Sequence, residues 1–339
     1  MSDQDLGLGL VGAGFWGKNL VRNFARTRGA RLLRVVDLVE AHRERAKGLV
    51  PGAEVTEHFE DILGDDRIGA VAVCTGAAAH HGLAKAALLA DKHVFVEKPL
   101  TLTVDHAEEL VRIARERNLK LMVGHLMLHH PGIQWIKAAL DAGEFGDPYY
   151  LYSQRLNLGI VRTDESAWWS LAPHDISLIL YLLGDTPADI SARGSCYLRP
   201  ELEDVVFANI GYANGRASEV HTSWLDPHKI RKLTLVGSDR MVTFDDTVPQ
   251  EKIRVYDKGA DRTVDYSTFA DLISLRQGDI RIPSLKLTEP LLVECQHFVD
   301  CVRNDTEPLT PGEQGAEVVR ILCAGQESIA NGGAPVALR

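Results

Sequence analysis

The pattern of apolar and polar positions in residues 6–37 is the one on which the interpretation of the rest of the chain depends. An apolar run precedes the glycines Gly12, Gly14 and Gly17, whose spacing is G-x-G-x-x-G. A segment with apolar residues at helical spacing follows, and a second apolar run ends at Asp37. This pattern predicts a strand, a tight turn, a helix and a second strand that ends at an acidic residue.

Strand and helix patterns continue to alternate up to residue 125. Predicted helices over 39–48, 81–90 and 104–117 alternate with predicted strands over 68–74, 93–96 and 121–123. Continuous apolar strands flanked by helices are typical of a parallel sheet that is covered on both faces. We therefore predict an α/β doubly wound Rossmann domain over residues 1–125, with ligands at the carboxyl edge of its strands.

The pattern changes near residue 148, after a break rich in turn-forming residues. Shorter segments predict strands over 149–156, 190–197, 205–212, 217–222, 232–236 and 241–244, with a hairpin turn at 213–216. Helices are predicted over 131–142, 174–183, 289–303 and 312–331. We predict an α+β substrate domain over 126–339 with a largely antiparallel sheet, its C-terminal helices able to pack back on the first domain. Because both faces of such a sheet need cover, we expect a homodimer or homotetramer formed through it.

Composition excludes several classes of protein. The chain has 339 residues, 45% hydrophobic and 25% charged, with a formal net charge of -10, which argues against nucleic-acid or anionic-membrane partners. Five cysteines without a C-x-x-C pair indicate neither a disulfide framework nor a zinc site, and we expect no metal. No apolar run is long enough for a membrane span, and the first residues lack the pattern of a signal peptide. We therefore expect a cytoplasmic protein.

The glycine motif and its flanking elements predict dinucleotide binding. Gly12 allows the tight turn, Gly14 lets a pyrophosphate approach the backbone, and Gly17 lets the helix pack close to the sheet. Asp37 would accept hydrogen bonds from the adenosine ribose and would repel the 2′-phosphate of NADP. The sequence therefore favours NAD, although Arg43 and Arg45 leave NADP open.

Three motifs together resemble the Gfo/Idh/MocA family of NAD(P)-dependent sugar and cyclitol oxidoreductases. They are the glycine motif, residues 73–75 followed by His80, and residues 93–100, which contain Glu97, Lys98 and Pro99. The resemblance implies that Lys98 lies beside the nicotinamide and the reacting hydroxyl. The sequence leaves open whether the peptide bond before Pro99 is cis. The implied cofactor contacts are Gly12, Ala13, Gly14, Phe15, Trp16, Gly17, Asp37, Thr75, His80, Glu97 and Lys98.

The same resemblance implies a second catalytic residue, His174, at the start of a helix in the substrate domain. The family usually has an aspartate four residues earlier, where this chain has Ser170. This difference makes an inositol dehydrogenase less expected. Asp175 is interpreted equally well as a group that orients the His174 ring or as a helix cap. The residues expected to bind substrate are Lys98, His125, Arg155, Asn157, Arg162, Trp169, His174 and Asp175.

Segments around Arg155, Trp169 and His174 resemble the nucleotide-sugar branch of the family, which includes UDP-N-acetylglucosamine 3-dehydrogenases. The resemblance implies NAD-dependent oxidation of the 3-hydroxyl of a UDP-N-acetylhexosamine. The 3-keto product would feed an aminotransferase in the biosynthesis of cell-surface polysaccharide or lipid A. Arg155 and Arg162 are the expected partners of the diphosphate. Alternatives are an NADPH-dependent reductase of a keto-sugar such as a dTDP-deoxysugar, an inositol or sugar dehydrogenase, and a non-catalytic NAD-binding sensor.

Overall fold

The computed structural model describes residues 5–159, 161–265 and 270–338, giving the backbone alone over 261–265 and 270–273. Within these residues the chain forms two compact units. The first contains residues 5–130 and 288–323, and the second contains the remainder. The segment 288–323 contains the first predicted C-terminal helix and most of the second, and it is part of the first unit.

The elements alternate regularly in the first part of the chain. They are β1 (Leu6–Val11), α1 (Gly17–Phe24), β2 (Ala30–Val36), α2 (Glu40–Leu49), β3 (Glu54–Thr56), α3 (Glu60–Leu63), β4 (Ala70–Val73), α4 (Ala77–Leu89), β5 (His93–Glu97), α5 (Val104–Glu116) and β6 (Leu121–Gly124). A short 3-10 helix, Leu126–His129, follows β6.

Strands dominate the next part, and two long helices come after them. The elements are α6 (Pro131–Asp141), β7 (Pro148–Leu156), α7 (Ala167–Leu183), β8 (Pro187–Ser195), β9 (Val205–Tyr212), β10 (Ala217–Ser223), β11 (Ile230–Gly237), β12 (Met241–Asp245), β13 (Ile253–Asp265), β14 (Ala270–Arg281), α8 (Pro290–Asn304), α9 (Gly312–Ala330) and β15 (Val336–Ala337). Among the described residues, no helix combines the length and the apolar content that crossing a bilayer requires.

The first unit is built on a six-stranded parallel sheet in the order β3-β2-β1-β4-β5-β6. This is the strand order of a Rossmann fold, so the predicted doubly wound sheet is confirmed. The order reverses between β1 and β4, where Leu10 pairs with Ala72. Ligands of such sheets bind at the carboxyl ends of the strands on either side of this reversal.

Both faces of the parallel sheet are buried. On one face Phe24 of α1, Phe95 of β5 and Phe298 of α8 meet edge to face, with ring centroids 5.7–6.3 Å apart. On the other face Leu88 of α4 and Leu110 of α5 pack with the strand residues. Aromatic pairs in this geometry add to the energy of burial. Packing through Phe298 therefore explains why α8 belongs to the first unit.

The second unit is built on a nine-stranded sheet in the order β14-β13-β12-β11-β7-β10-β9-β8-β15. Neighbouring strands are antiparallel except for the parallel pair β7 and β10. This confirms the prediction of a largely antiparallel sheet. The predicted hairpin turn joins β9 to β10, and Gly215 has φ +83° in it. Helix α7 packs on β7, β9 and β10.

Several predicted boundaries were wrong. Helix α7 begins at Ala167 rather than at residue 174. The predicted start was too late because proline is favoured at the first helical position, whereas Pro173 lies inside this helix. Helix α4 begins at Ala77, where a run of alanines gives no periodic signal. Strands β13 and β14 were not predicted, because their sequences contain glycines and charges without a sustained alternation.

We expect the substitution Phe298→Ala to lower the free energy of unfolding by about 3–5 kcal/mol, because it removes a fully buried ring from the aromatic contact. Urea unfolding of the whole chain measures the effect. Val293→Ala is the matched control, since Val293 lies on the same helix and is partly exposed. Equal losses for the two variants would contradict the packing role of Phe298.

Candidate active site

The first and third glycines of the motif are required by the fold itself. Gly12 has φ +92°, and a Cβ atom there would lie 2.2 Å from the carbonyl oxygen of Cys74. A Cβ atom at Gly17 would lie 1.9 Å from the carbonyl oxygen of Gly12. No side chain fits at these distances. The ends of β1 and β4 and the start of α1 therefore approach each other as closely as their backbones allow.

Gly14 differs from its two neighbours in the motif. A Cβ atom there would have its nearest contact at 3.6 Å, to the Cε1 atom of His42, which is ordinary van der Waals contact. The fold therefore does not require glycine at this position. It lies just before the N-terminus of α1, where backbone N–H groups and the helix dipole favour an anion. The position fits the close approach of a pyrophosphate.

Asp37 lies at the end of β2, beside the glycine turn. Its carboxylate accepts hydrogen bonds from the backbone N–H of Ala13 at 2.7 Å and of Val39 at 2.9 Å. Arg43 donates to the carbonyl oxygens of Asp37 and Leu38, so its guanidinium is turned toward the backbone. An oriented carboxylate at the end of β2 fits recognition of a ribose and disfavours a 2′-phosphate.

His80 joins the ends of two neighbouring strands. Its Nε2 atom lies 3.1 Å from the carbonyl oxygen of Thr75, and its Nδ1 atom lies 2.8 Å from that of Pro99. The peptide bond between Lys98 and Pro99 is cis. The imidazole therefore fixes the segment after β4 to the segment that carries Lys98.

Glu97 joins the glycine loop to the same segment. Its Oε1 atom accepts from Nε1 of Trp16 at 2.6 Å, and its Oε2 atom accepts from the backbone N–H of Lys98 at 3.3 Å. Burial raises the pKa of Glu97, while the Trp16 hydrogen bond and the Lys98 charge act in the opposite direction. The carboxylate thus ties the loop expected to hold the cofactor to the lysine expected to act on substrate. Phe15, the other aromatic residue of this loop, is exposed.

His125, expected to contact substrate, is 1% exposed and directly follows β6. Among the described residues neither of its ring nitrogens has a hydrogen-bond partner. Burial and the nearby Lys98 charge lower the pKa of His125 to about 3, so the ring is neutral. The structure places His125 close enough to Lys98 to sense its charge, within the first unit.

In the second unit, Arg155 and Asp175 form a buried ion pair. The Nε atom of Arg155 lies 2.7 Å from Oδ2 of Asp175, and its Nη2 atom lies 3.2 Å from Oδ1. The hydroxyl of Ser153 also donates to Asp175. Asp175 does not cap the helix, because α7 begins at Ala167 and its cap position is Ser166. The charge of Arg155 is neutralised inside the unit, which removes the reason for assigning it to a diphosphate.

The other residues expected to bind substrate lie on α7 or on the segment before it. His174 and Trp169 are partly buried residues of α7, and Ser170 precedes His174 by one helical turn. Arg162 is about half exposed and pairs with Glu165 at 2.9 Å. Asn157 is exposed, and its backbone N–H donates to the carbonyl oxygen of Ser223. The prediction that His174 begins a helix was wrong, since Pro173 and His174 both lie inside α7.

Sequence reasoning missed two groups in the first unit. It did not predict the hydrogen bond between Trp16 and Glu97, which joins residues 81 positions apart. It also overlooked Glu294, a fully buried carboxyl group on α8. A signal for Glu294 was present, because helical spacing places it on the same face as the apolar residues Leu291, Cys295 and Phe298. Among the described residues, no three histidines, cysteines or carboxylates could together hold a metal ion.

The sheet order, the glycine turn and Asp37 define a dinucleotide-binding domain, and comparison with known proteins gives its family. Residues 6–125 match the model described as an oxidoreductase family with an NAD-binding Rossmann fold. Residues 133–243 match the model of the GFO/IDH/MocA C-terminal domain. The chain belongs to the Gfo/Idh/MocA family of oxidoreductases and has its NAD-binding domain.

Two curated relatives and one solved structure illustrate the range of the family. The chain is 26% identical to scyllo-inositol 2-dehydrogenase (NAD(+)) of Bacillus subtilis (strain 168), over 96% of this chain and 93% of that enzyme. It is 30% identical to UDP-N-acetylglucosamine 3-dehydrogenase of Acidithiobacillus ferrooxidans, over 57% of this chain and 60% of that enzyme. A solved structure of an A. ferrooxidans enzyme of that name has a TM-score of 0.80 at 23% identity, covering 96% of this chain and 98% of that one.

The glycine geometry gives a prediction that separates binding from folding. Gly14→Ala should leave the free energy of unfolding within about 1 kcal/mol of the original value and weaken NADH binding at least about tenfold. Gly17→Ala should lower the free energy of unfolding by about 1–3 kcal/mol or more, because its Cβ meets backbone. Urea unfolding and titration of NADH fluorescence measure the two effects. Unchanged NADH affinity in Gly14→Ala would show that no pyrophosphate approaches this residue.

Proposed function

We propose that the protein is a cytoplasmic enzyme that oxidises the 3-hydroxyl of a UDP-N-acetylhexosamine, such as UDP-N-acetylglucosamine, with NAD. The 3-keto product would be used by an aminotransferase in the biosynthesis of cell-surface polysaccharide or lipid A. The observation that carries the catalytic proposal is the position of Lys98 at the end of β5, beside a carboxylate bonded to the glycine loop. The similarity to UDP-N-acetylglucosamine 3-dehydrogenase supports the choice of substrate.

The proposed mechanism assigns proton transfer to this chain's own residues. When bound, NAD supplies the hydride acceptor. Lys98 accepts the proton of the reacting hydroxyl, and His174 shares this proton transfer from α7. Glu97 holds the backbone of Lys98 and the glycine loop in one arrangement through its two carboxylate oxygens. Such positioning lowers the barrier because the base is held within reach of the reacting proton.

The surroundings of His174 support a nucleotide sugar over a simple cyclitol. Ser170 lies one turn before His174, where the dehydrogenases of this family usually have a carboxylate. Arg162 is the remaining candidate for the diphosphate, because its ion pair with Glu165 is exposed enough to exchange. Asp37 disfavours the alternative of an NADPH-dependent keto-sugar reductase, because a 2′-phosphate would be placed beside a carboxylate.

One observation favours a second candidate, an inositol or free-sugar dehydrogenase. The buried pairing of Arg155 with Asp175 removes one of the two cations expected to meet a diphosphate. An uncharged polyol needs no such cation. The scyllo-inositol 2-dehydrogenase that resembles this chain over nearly its whole length is consistent with this alternative.

The direct test is NADH formation, followed by absorbance, with UDP-N-acetylglucosamine in the presence of an aminotransferase that removes the 3-keto product. We expect NADH with the UDP-sugar and none with inositol or free glucose. Lys98→Met should reduce turnover by at least about a hundredfold while NADH still binds, since it removes the proton acceptor. Turnover of inositol alone would select the second candidate. Undiminished turnover in Lys98→Met would refute the assignment of Lys98.

We also propose that the protein is a homodimer or homotetramer assembled through the nine-stranded sheet. Ser153 and Arg155 point toward α7, so the alternating residues Tyr150 and Tyr152 lie on the other face of β7. Phe207, which stacks on His221, is 48% exposed. Aromatic residues exposed together on a sheet face are typical of a subunit contact.

Sedimentation tests this contact. The wild-type protein should sediment as a dimer or tetramer, and Phe207→Arg should shift it toward the monomer, because a charge would be buried in the contact. Leu89→Arg is the matched control, since Leu89 on α4 is equally exposed, and it should leave the mass unchanged. A monomeric wild-type protein would rule out the proposed assembly.

A further inference from the structure

Among the described residues of the first unit, five side chains bury polar atoms without a hydrogen-bond partner, and three of these side chains lie on adjacent elements. The unpartnered atoms of these three are both ring nitrogens of His125, the Nε2 atom of His129 and both carboxyl oxygens of Glu294. The three residues are 1%, 4% and 0% exposed. A buried polar atom without a partner costs about 1–3 kcal/mol, so such groups are retained where they bind water or perform chemistry.

These groups belong to adjacent elements. His125 directly precedes the 3-10 helix after β6, His129 is the last residue of that helix, and α8 packs on it. Glu294 and His297 are three residues apart on α8 and therefore share a face. The rings of His129 and His297 have their centroids 5.2 Å apart. We call the set of Glu97, His125, His129, Glu294 and His297 the polar seam.

Electrostatic interactions connect the polar seam to Lys98. The Lys98 charge lowers the pKa of His125, and His125 in turn lowers the pKa of His129. The Oε2 atom of Glu97 accepts a hydrogen bond from the backbone N–H of Lys98, and the charge of Glu97 raises the pKa of Glu294. His297 is only partly buried, so the seam extends from the lysine toward the surface of the first unit.

The protonation states of the seam suit proton transfer. Burial lowers the pKa of His125 and of His129 to about 3, so each ring is neutral, with one N–H donor and one acceptor nitrogen. Burial, together with the charge of Glu97, raises the pKa of Glu294, which favours the protonated carboxyl group, a form that can both donate and accept a hydrogen bond. His297 differs from these three residues in having a hydrogen-bond partner, because its Nε2 atom accepts from the backbone N–H of Leu309 at 2.8 Å. That contact fixes the His297 ring beside His129.

We propose that His125, His129 and Glu294 line an internal path of water molecules that carries a proton between Lys98 and solvent during each turnover. This inference rests on the proposed dehydrogenase function. Oxidation of the alcohol breaks its O–H and C–H bonds, so the hydride goes to NAD and the proton to the Lys98 amine. The lysine then releases that proton to the path. Each imidazole accepts a proton on one nitrogen and gives up a proton from the other, so one proton reaches water per turnover.

Kinetics of His129→Gln test the path, because glutamine keeps hydrogen bonding but cannot relay a proton. We expect kcat to fall roughly tenfold to a hundredfold, the solvent deuterium isotope effect on kcat to rise, and added imidazole to restore part of the activity. Affinity for NADH should not change. His58→Gln is the matched control, because His58 is exposed, and it should behave like the wild-type protein in all four measurements.

A purely structural role of His129 predicts a different result. The variant would then lose stability and kcat together, and imidazole would not restore activity. Wild-type kcat in His129→Gln, or a loss that imidazole does not relieve in both His129→Gln and Glu294→Gln, would overturn the proposal.

A second experiment does not depend on the substrate. A crystal structure of the wild-type protein with NADH, at a resolution that shows ordered water, should contain water bonded to His125, His129 and Glu294. Direct protein partners for these atoms, or a dry seam, would overturn the proposal even if no sugar is turned over. If water is present but no substrate in the panel reacts, the proposed function fails, and the hydration of the polar seam stands without its role in turnover.

Discussion

The close approach of three backbone segments at the glycine turn constrains the whole first unit. A Cβ atom at Gly12 would lie 2.2 Å from the carbonyl oxygen of Cys74, and a Cβ atom at Gly17 would lie 1.9 Å from the carbonyl oxygen of Gly12. Only this approach brings the N-terminus of α1 to the carboxyl ends of β1 and β4, where the strand order reverses. The free N–H groups of the helix and the carboxylate of Asp37 are then presented at one edge of the sheet. Dinucleotide binding therefore follows from backbone geometry more than from particular side chains.

Glu97 extends this constraint to the proposed chemistry. Its carboxylate is buried and has two hydrogen-bond donors, the indole of Trp16 and the backbone N–H of Lys98. A buried carboxylate that loses one such donor becomes much less stable, so the two contacts hold each other in place. The glycine loop and the lysine segment cannot shift independently. In the proposed mechanism, Glu97 is therefore a positioning residue that links the glycine loop to the segment of Lys98.

Sequence could predict the features that local geometry or a short motif determines. The strands β1, β2, β4, β5 and β6, the spacing of the glycines and the lysine after β5 all belong to this class, whereas the three-residue strand β3 was not predicted. Helix α7 was placed too late because Pro173 is favoured at a first helical position, yet packing on the sheet keeps the helix intact around it. The pairing of Arg155 with Asp175 depends on how α7 lies on β7, which no pattern within either element encodes. The same holds for Glu294, whose burial results from the packing of α8 on the first unit.

Arg155 and Arg162, the two arginines predicted to bind a diphosphate, differ in the free energy needed to break their ion pairs with carboxylates. Breaking the pair of Arg155 and Asp175 would leave a buried charge, a cost of about 3–5 kcal/mol that a phosphate contact does not recover. The partly exposed pair of Arg162 and Glu165 contributes about 0–1 kcal/mol, so a phosphate can replace Glu165 with little loss. In a chain with a formal net charge of -10, an anionic substrate must find such an exchangeable cation. Under the proposed function, Arg162 is therefore the arginine assigned to discriminate nucleotide sugars from uncharged polyols, while the ion pair of Arg155 with Asp175 holds α7 on the sheet.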